Sequence, residues 1–256
     1  MRRLIVEEPY AETAVWSRRL GFFALAVAGI GVLSARTGLD PTPVYAILGS
    51  SFAIACIAVL CAGAAIIVIW QTGRKGTGRL LAGLALAFLL LGYPGFLAVQ
   101  AIRLPVLADV STDLDDPPAF ARSKKALAAR NGVTPEPVSD DLRQQQMRAY
   151  PAIQPILLDL DADEAYKTVL KVAAAKHWQI VDQTSPGGRS GVGHVDAMVR
   201  GLILGLPDDV TIRIRPQAGQ TRVDMRSVSR IGHHDFGANA YRIKQFQQAL
   251  EAEASK

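Results

Sequence analysis

Arginine, aspartate and histidine crowd into one stretch near the C-terminus. Residues 210–244 hold seven Lys/Arg against two Asp/Glu. Arg213 and Arg215, then Arg222 and Arg226, fall at the polar positions of two alternating runs, and Arg230 and Arg242 follow. Guanidinium groups suit carboxylate or phosphate partners, which they grip with two parallel N–H donors. Two readings compete. In one, Arg226, Arg230, Asp235, Asn239 and Arg242 form a site for an anionic ligand or a lipid headgroup. In the other they pair internally, Arg226 or Arg230 with Asp235, and Arg242 with Asp208 or Asp209.

Other chemistry is weaker. His233, His234 and Asp235 are adjacent, and adjacent side chains rarely reach one metal ion; His177 and His194 lie far off in sequence. No metal site is expected, and no cofactor. Asp235-Phe236-Gly237 matches the kinase tripeptide without that enzyme's other motifs, and reads instead as a loop entering a helix. There Asp235 or Asn239 would bond freed backbone N–H groups. Ser227 and Ser229 sit in a strand pattern, without the sharp turn or paired base of a nucleophile. Asp109, Asp113, Asp115 and Asp116 lack the Gly and Glu of a calcium loop and read as solvated turn acids. Cys56 and Cys61, five apart in an apolar run, point in different directions on a helix and read as buried apolar-like residues.

The elements that must carry these residues alternate regularly from Ile153 onward. Ile153–Leu160 predicts a strand. Asp161 with Glu164 caps a helix whose apolar stripe is Ala165, Val169, Val172 and Ala173. Trp178–Thr184 and Ser190–Val199 predict strands about a Ser185–Gly188 turn, and Gly201–Leu206 is an apolar stretch closed by Pro207-Asp208-Asp209. Val210, Ile212 and Ile214, then Val223, Met225 and Ser227, alternate with polar residues across a Gln217–Gln220 turn. Ala238–Ala252 closes the chain as a helix. The order β-α-β-β-β-β-α with short turns predicts an antiparallel sheet with helices packed on one face, its core within 153–253. Ahead of it, 104–153 reads as irregular, with one short helix at 118–130 and a loop holding Pro135, Pro137, Pro151 and Gln144–Gln146.

Residues 1–103 are of another kind. They hold nine Lys/Arg and four Asp/Glu, whereas 104–256 hold nineteen of each, so the net charge of +5 belongs wholly to the first part. A basic excess outside the soluble domain argues against a nucleic-acid partner. Three runs without charged residues, Leu20–Ala35, Pro41–Gly73 and Leu80–Ile102, predict transmembrane helices at about 18–37, 44–70 and 80–102. The chain is thus a membrane α-helical anchor over 1–103 and a soluble α+β domain over 104–256. Gly92, Pro94 and Gly95 are tolerable in such a helix, and frequent Ala and Gly suit close helix packing, within the chain or with a partner. Ser17–Phe22 resembles a twin-arginine signal, but Leu33-Ser34-Ala35 makes a poor cleavage site and two further spans follow. Arg2, Arg3, Arg18 and Arg19 precede the first span and Arg74, Lys75 and Arg79 follow the second, while only Arg36 lies between them. Lys/Arg-rich loops stay in the cytoplasm, so the C-terminal domain is expected outside, in a bacterium the periplasm beyond the inner membrane. No span carries an ionisable residue, which argues against a pump or a proton-coupled transporter.

Three stretches carry a family resemblance. Val223–Ile243, with Arg226-Ser227-Val228-Ser229-Arg230-Ile231-Gly232-His233-His234-Asp235-Phe236-Gly237 at its centre, closely resembles the signature of the bacterial domain of unknown function 1499 family. Val110–Phe120 resembles that family's opening motif and Gly205–Val210 its middle motif. The resemblance implies an exported or membrane-tethered domain without an assigned reaction. The expectation is a non-catalytic binding or envelope-associated module whose partners are the membrane and an anionic ligand or an envelope protein. The alternatives are an enzyme of unknown reaction using the Arg/His/Asp motif at 226–242, and a structural component of a membrane assembly.

Overall fold

The computed structural model describes residues 8–187 and 191–256; Arg2, Arg3, Gly188 and Ser190, on which readings above rest, lie outside that range. The chain forms two compact units: one ends at Val99 and also takes in Ile203–Gly205, and the other comprises the rest from Gln100 on.

The first unit holds the helices α1 (Glu12–Arg36), α2 (Pro41–Thr72) and α3 (Thr77–Arg103), each long and apolar enough to cross a membrane. α1 and α3 start before and end after their uncharged runs, because polar residues such as Glu12 and Thr77 extend helices that charge-free runs alone cut short, whereas α2 fills its run and stops at Gly73, whose left-handed backbone ends the helix. The packing is inside-out relative to a soluble bundle. Ser51, Ala55, Ala58, Ala62 and Ala65 of α2 are buried, as are Ala14, Ser17, Gly21 and Ala24 of α1, while Phe22, Leu60, Phe88 and Leu89 face outward. Small residues let backbones approach closely in lipid, where apolar side chains lose nothing by facing out. A Cβ on Gly83 would stand 2.7 Å from the Ser17 carbonyl carbon, so this contact is made within the chain. Pro94 lies inside α3, and Cys56 and Cys61 are free thiols.

The second unit contains a six-stranded antiparallel sheet in the order β1-β6-β5-β4-β3, with β2 beside β1 along the same edge of β6. The strands are β1 (Asp109–Ser111), β2 (Ile156–Leu158), β3 (Gln179–Thr184), β4 (Gly193–Arg200), β5 (Pro207–Gln217) and β6 (Gln220–Ser229). From β2 onward the chain follows the expected β-α-β-β-β-β-α order, with α6 (Ala162–Ala175) and α7 (Ala238–Ala254) packed on one face of the sheet. Asp161 caps α6 by accepting from the Glu164 amide at 2.8 Å. Val195, Ala197, Val210, Ile212, Ile214, Val223 and Met225 meet Val169, Ile243, Phe246 and Leu250 in the core.

The segment before β2 differs from its irregular reading. Asp109–Ser111 is a sheet strand. The short helix α4 spans only Lys124–Ala129, capped by Ser123, because the backbone groups of Ala119 and Ala121 ahead of it are bonded to Thr211, Asp196 and Arg130. A second helix, α5 (Asp140–Ala149), occupies what reads as a glutamine-rich loop. Its sequence has no apolar stripe, and Ser139 and the two acids after it were its only signal. Gln146 explains its place: buried, it accepts from the Ser111 amide at 3.0 Å and donates to the Ser111 carbonyl at 2.6 Å, as a neighbouring strand would.

Candidate functional site

The register of β5 and β6 decides where the motif residues go. Arg213 lies opposite Asp224 and Arg215 opposite Arg222. Alternation sends Arg213, Arg215, Arg222, Asp224, Arg226 and Arg230 to the face away from α6 and α7. Residues 112–131 cross that face as a strap. Phe120 is wedged between the guanidinium groups of Arg130 and Arg226, at 5.3 and 5.5 Å from its ring centre.

Asp113 is the strap's main fastening. Its Oδ2 takes N–H donors from Arg213 (3.3 Å), Arg215 (3.2 Å) and Arg222 (2.6 Å), and its Oδ1 takes the amides of Asp115 and Asp116. Asp224, fully buried, faces the same three arginines at 2.7–3.0 Å. Asp116 adds bonds from Arg213 and Arg215. Burial acts to lower the Arg222 pKa, but Asp224, Asp113 and Asp116 outweigh it and hold the group above its ordinary value. Asp109 and Asp113 are therefore not solvated turn acids; they are ion-pair partners for strand arginines. The sequence signal lay in the arginines themselves, which needed carboxylates on whatever covered their face.

The five candidate residues do not form one cluster. Arg226 pairs with Asp109, its Nη2 2.6 Å from Oδ2, and donates to the Glu136 carbonyl at 2.5 Å. Arg230 grips both oxygens of Asp209, at 2.8 and 2.7 Å. Arg242, on the helix-covered face, pairs with Asp208 and donates to Ser227 Oγ at 2.7 Å and Asn239 Oδ1 at 2.5 Å. Asp235 accepts from the Gly237 and Asn239 amides, both at 2.8 Å, so it caps α7. Asn239 has no such capping role: its Nδ2 donates to the Ala108 carbonyl at 3.1 Å and to Ser229 Oγ at 3.0 Å, and its Oδ1 accepts from Ser227. Of the pairings considered from sequence, Arg242 with Asp208 is present, whereas Arg226 and Arg230 choose Asp109 and Asp209 over Asp235.

Burial pushes the Asp208 carboxyl up, Arg242 and Ser229 pull it part of the way back, and it stays above its ordinary value. Tyr150 is raised by burial and by the charge of nearby Asp235. His234 accepts the Phe236 amide on Nδ1 at 3.0 Å and stacks on the Phe236 ring. Among the described residues no group of three His, Cys, Asp or Glu is placed to hold a metal ion.

One further node was not anticipated. Asp196 in β4 is buried, and its Oδ2 accepts from the Ala121 amide at 2.9 Å and from Arg130 at 3.0 Å. His194 Nε2 lies 2.8 Å from its Oδ1. Burial acts to raise the Asp196 pKa, but His194, Thr211 and the Ala121 amide together bring it below its ordinary value. Strict alternation of Val195, Ala197 and Val199 against His194, Asp196 and Met198 puts this acid on the strap side, where Arg130 covers it.

A class is now defined. The protein joins three helices fit to cross a membrane to an α+β sheet domain whose arginine motif is ion-paired within the domain. Residues 109–250, more than half of the chain, match the model of the family described as Protein of unknown function (DUF1499), and the chain belongs to that family. A search of curated proteins finds no match. The stretches that carried the resemblance meet in space: Arg226 of the last reaches Asp109 at the edge of the first, Thr112 and Met225 exchange hydrogen bonds, and Arg242 and Arg230 hold Asp208 and Asp209 of the middle one.

Proposed function

We propose that this chain is a non-catalytic module of a bacterial cell envelope. Three helices hold it in the inner membrane with the N-terminus cytoplasmic, and its α+β domain stands in the periplasm, where it engages the membrane and an envelope protein. The observation that supports the non-catalytic reading best is the commitment of the motif side chains. Arg226, Arg230 and Arg242 each have a carboxylate partner, and Ser227, Asp235 and Asn239 are bonded to the groups that hold α7 and the chain entering β1. Such an arrangement favours a protein or membrane partner over a small anion, since an anion at Arg226 or Arg230 would have to displace Asp109 or Asp209.

The same bonds give the motif a job. The Ser229 amide donates to the Ala108 carbonyl at 2.8 Å and the Asp235 amide to the Leu107 carbonyl at 2.9 Å, so the motif grips the chain that leaves α3. A Cβ on Gly237 would stand 2.8 Å from Leu104 Cδ1. The orientation rests on the Lys/Arg bias of the loops.

Two measurements test the proposal on the full chain. A reporter fused after Lys256 that works only outside the cytoplasm is expected to be active; activity of a cytoplasm-only reporter there overturns the orientation. Inorganic phosphate is expected to leave the melting temperature of the detergent-purified protein unchanged. A dose-dependent rise that Arg226→Ala abolishes would overturn the non-ligand reading.

A further inference from the structure

The turn between β4 and β5 is apolar and exposed. Gly201-Leu202-Ile203-Leu204-Gly205-Leu206 contains no charged or hydrogen-bonding side chain, and Leu202 is 89% exposed. The Gly201 amide closes it on the Leu206 carbonyl at 2.9 Å, so the apolar residues are carried at the tip of a formed hairpin. The β5–β6 turn, Gln217-Ala218-Gly219-Gln220, is polar by contrast.

Register says which end of the sheet this tip occupies. Asp208, just after the turn, lies opposite Ser229, and Ser229 donates to Ala108, the last residue before β1. The chain leaving α3 therefore joins the sheet at the same end from which the β4–β5 turn projects, while the β5–β6 turn lies at the other end. Two to three strand spacings, about 10–15 Å, separate the turn from β1 across the sheet. Val106, in the connection, is also exposed at 56%.

We infer that the 202–204 tip inserts into the bilayer surface, as a second, shallow attachment of the domain to lipid. The inference rests on the anchor reading above. An apolar tip with Leu202 and Ile203 exposed, held at the end of the sheet where the chain from α3 enters, gains by entering the headgroup–acyl boundary, as apolar faces of interfacial segments do. With the α3 connection it would fix the tilt of the domain on the membrane, which one tether alone does not.

The test uses the full chain with Cys56→Ser and Cys61→Ser, reconstituted into phosphatidylethanolamine–phosphatidylglycerol vesicles. A bimane fluorophore is attached in separate variants at Leu202→Cys, Ala218→Cys and Leu60→Cys. At 202, nitroxide on the lipid near the headgroups is expected to quench several-fold more than at 218, and aqueous iodide several-fold less. Equal quenching at 202 and 218 overturns the inference. So does protection from iodide at 202 without lipid quenching, which would mean that protein covers the tip. The probe at 60, exposed on α2, separates the two levels: if deep lipid nitroxide quenches 60 while headgroup nitroxide quenches 202 no more than 218, only the tip attachment fails, and if deep nitroxide does not quench 60, the anchor reading fails as well.

Discussion

The two faces of the sheet are covered by different physics. On one, α6 and α7 bring an apolar layer in which Trp178 stacks on Phe246 at 5.0 Å. On the other, the strap is held mainly by charge, Asp113 and Asp116 against Arg213, Arg215 and Arg222, and Arg130 against Asp196, over sheet arginines that also pair with Asp224 and Asp109 of the sheet itself. An apolar face gains stability in proportion to area and loses it only when the area opens. An ion-paired face gains from charges already desolvated, so its worth depends on every partner staying in place. The domain thus has a core that resists substitution by volume and a strap that resists it by charge. The largest predicted effects should tell these apart.

Phe246→Ala should cost most, about 3–5 kcal/mol, through lost burial and a cavity beside Trp178. Denaturant unfolding of the detergent-purified chain measures it, and the loss should be the same at low and high salt. Asp224→Ala should come next, at about 2–4 kcal/mol, because three arginines lose a fully buried carboxylate while keeping some exposure of their own. Its penalty should shrink as salt is added, since screening eases repulsion among the freed guanidinium groups. A salt-independent Asp224→Ala loss would collapse the distinction between the faces.

Asp113→Asn sharpens it at smaller scale. The amide can still accept from the arginines, so global stability should fall by only about 1–2 kcal/mol. Yet the strap should open locally, because the three arginines keep Asp224 of the sheet but lose the strap carboxylate that all three hold. Trypsin should then cut after Arg122, Lys124 or Lys125 faster than in the parent, with the melting temperature little changed. Unaltered cleavage would mean that the other fastenings, Asp116 on Arg213 and Arg215 and Asp196 on Arg130 and the Ala121 amide, hold the strap without the Asp113 charge.

The helix-covered face was readable because its signals are periodic. Val210, Ile212 and Ile214 alternate, Asp161 caps, and Ile243, Phe246 and Leu250 share a helix face, so each local rule agreed with the final layer. The strap was not readable because its signals are pairwise. Nothing in Asp113 says that it meets Arg222, more than a hundred residues on, and Asp109 looks the same in sequence whether solvated or gripped by Arg226. α5 escaped notice for a related reason: its one buried side chain, Gln146, works by hydrogen bonding to Ser111, which leaves no apolar stripe. The membrane helices were legible in length and hydropathy, but which small residues meet, such as Gly83 against Ser17, follows only from packing.

The same contrast reaches the acids buried on each face, with opposite signs. Asp196, on the strap side, has its carboxyl held below the ordinary value by His194, Thr211 and the Ala121 amide against the opposing pull of burial. It contributes stability that is present above the unfolded-state pKa near 3.8 and is lost as pH falls through the lower folded value. Asp208, on the helix side, is held above its ordinary value by burial despite Arg242. Its ionised form is the less favoured one in the fold, so stability should rise as pH falls through that raised value and level off below 3.8. Neutral isosteres convert this into a comparison at a single pH. At pH 7, Asp196→Asn should destabilise clearly more than Asp208→Asn, although both acids are paired to an arginine. Equal losses would show that the arginine pairings, and not the difference in what surrounds them, set the worth of both acids.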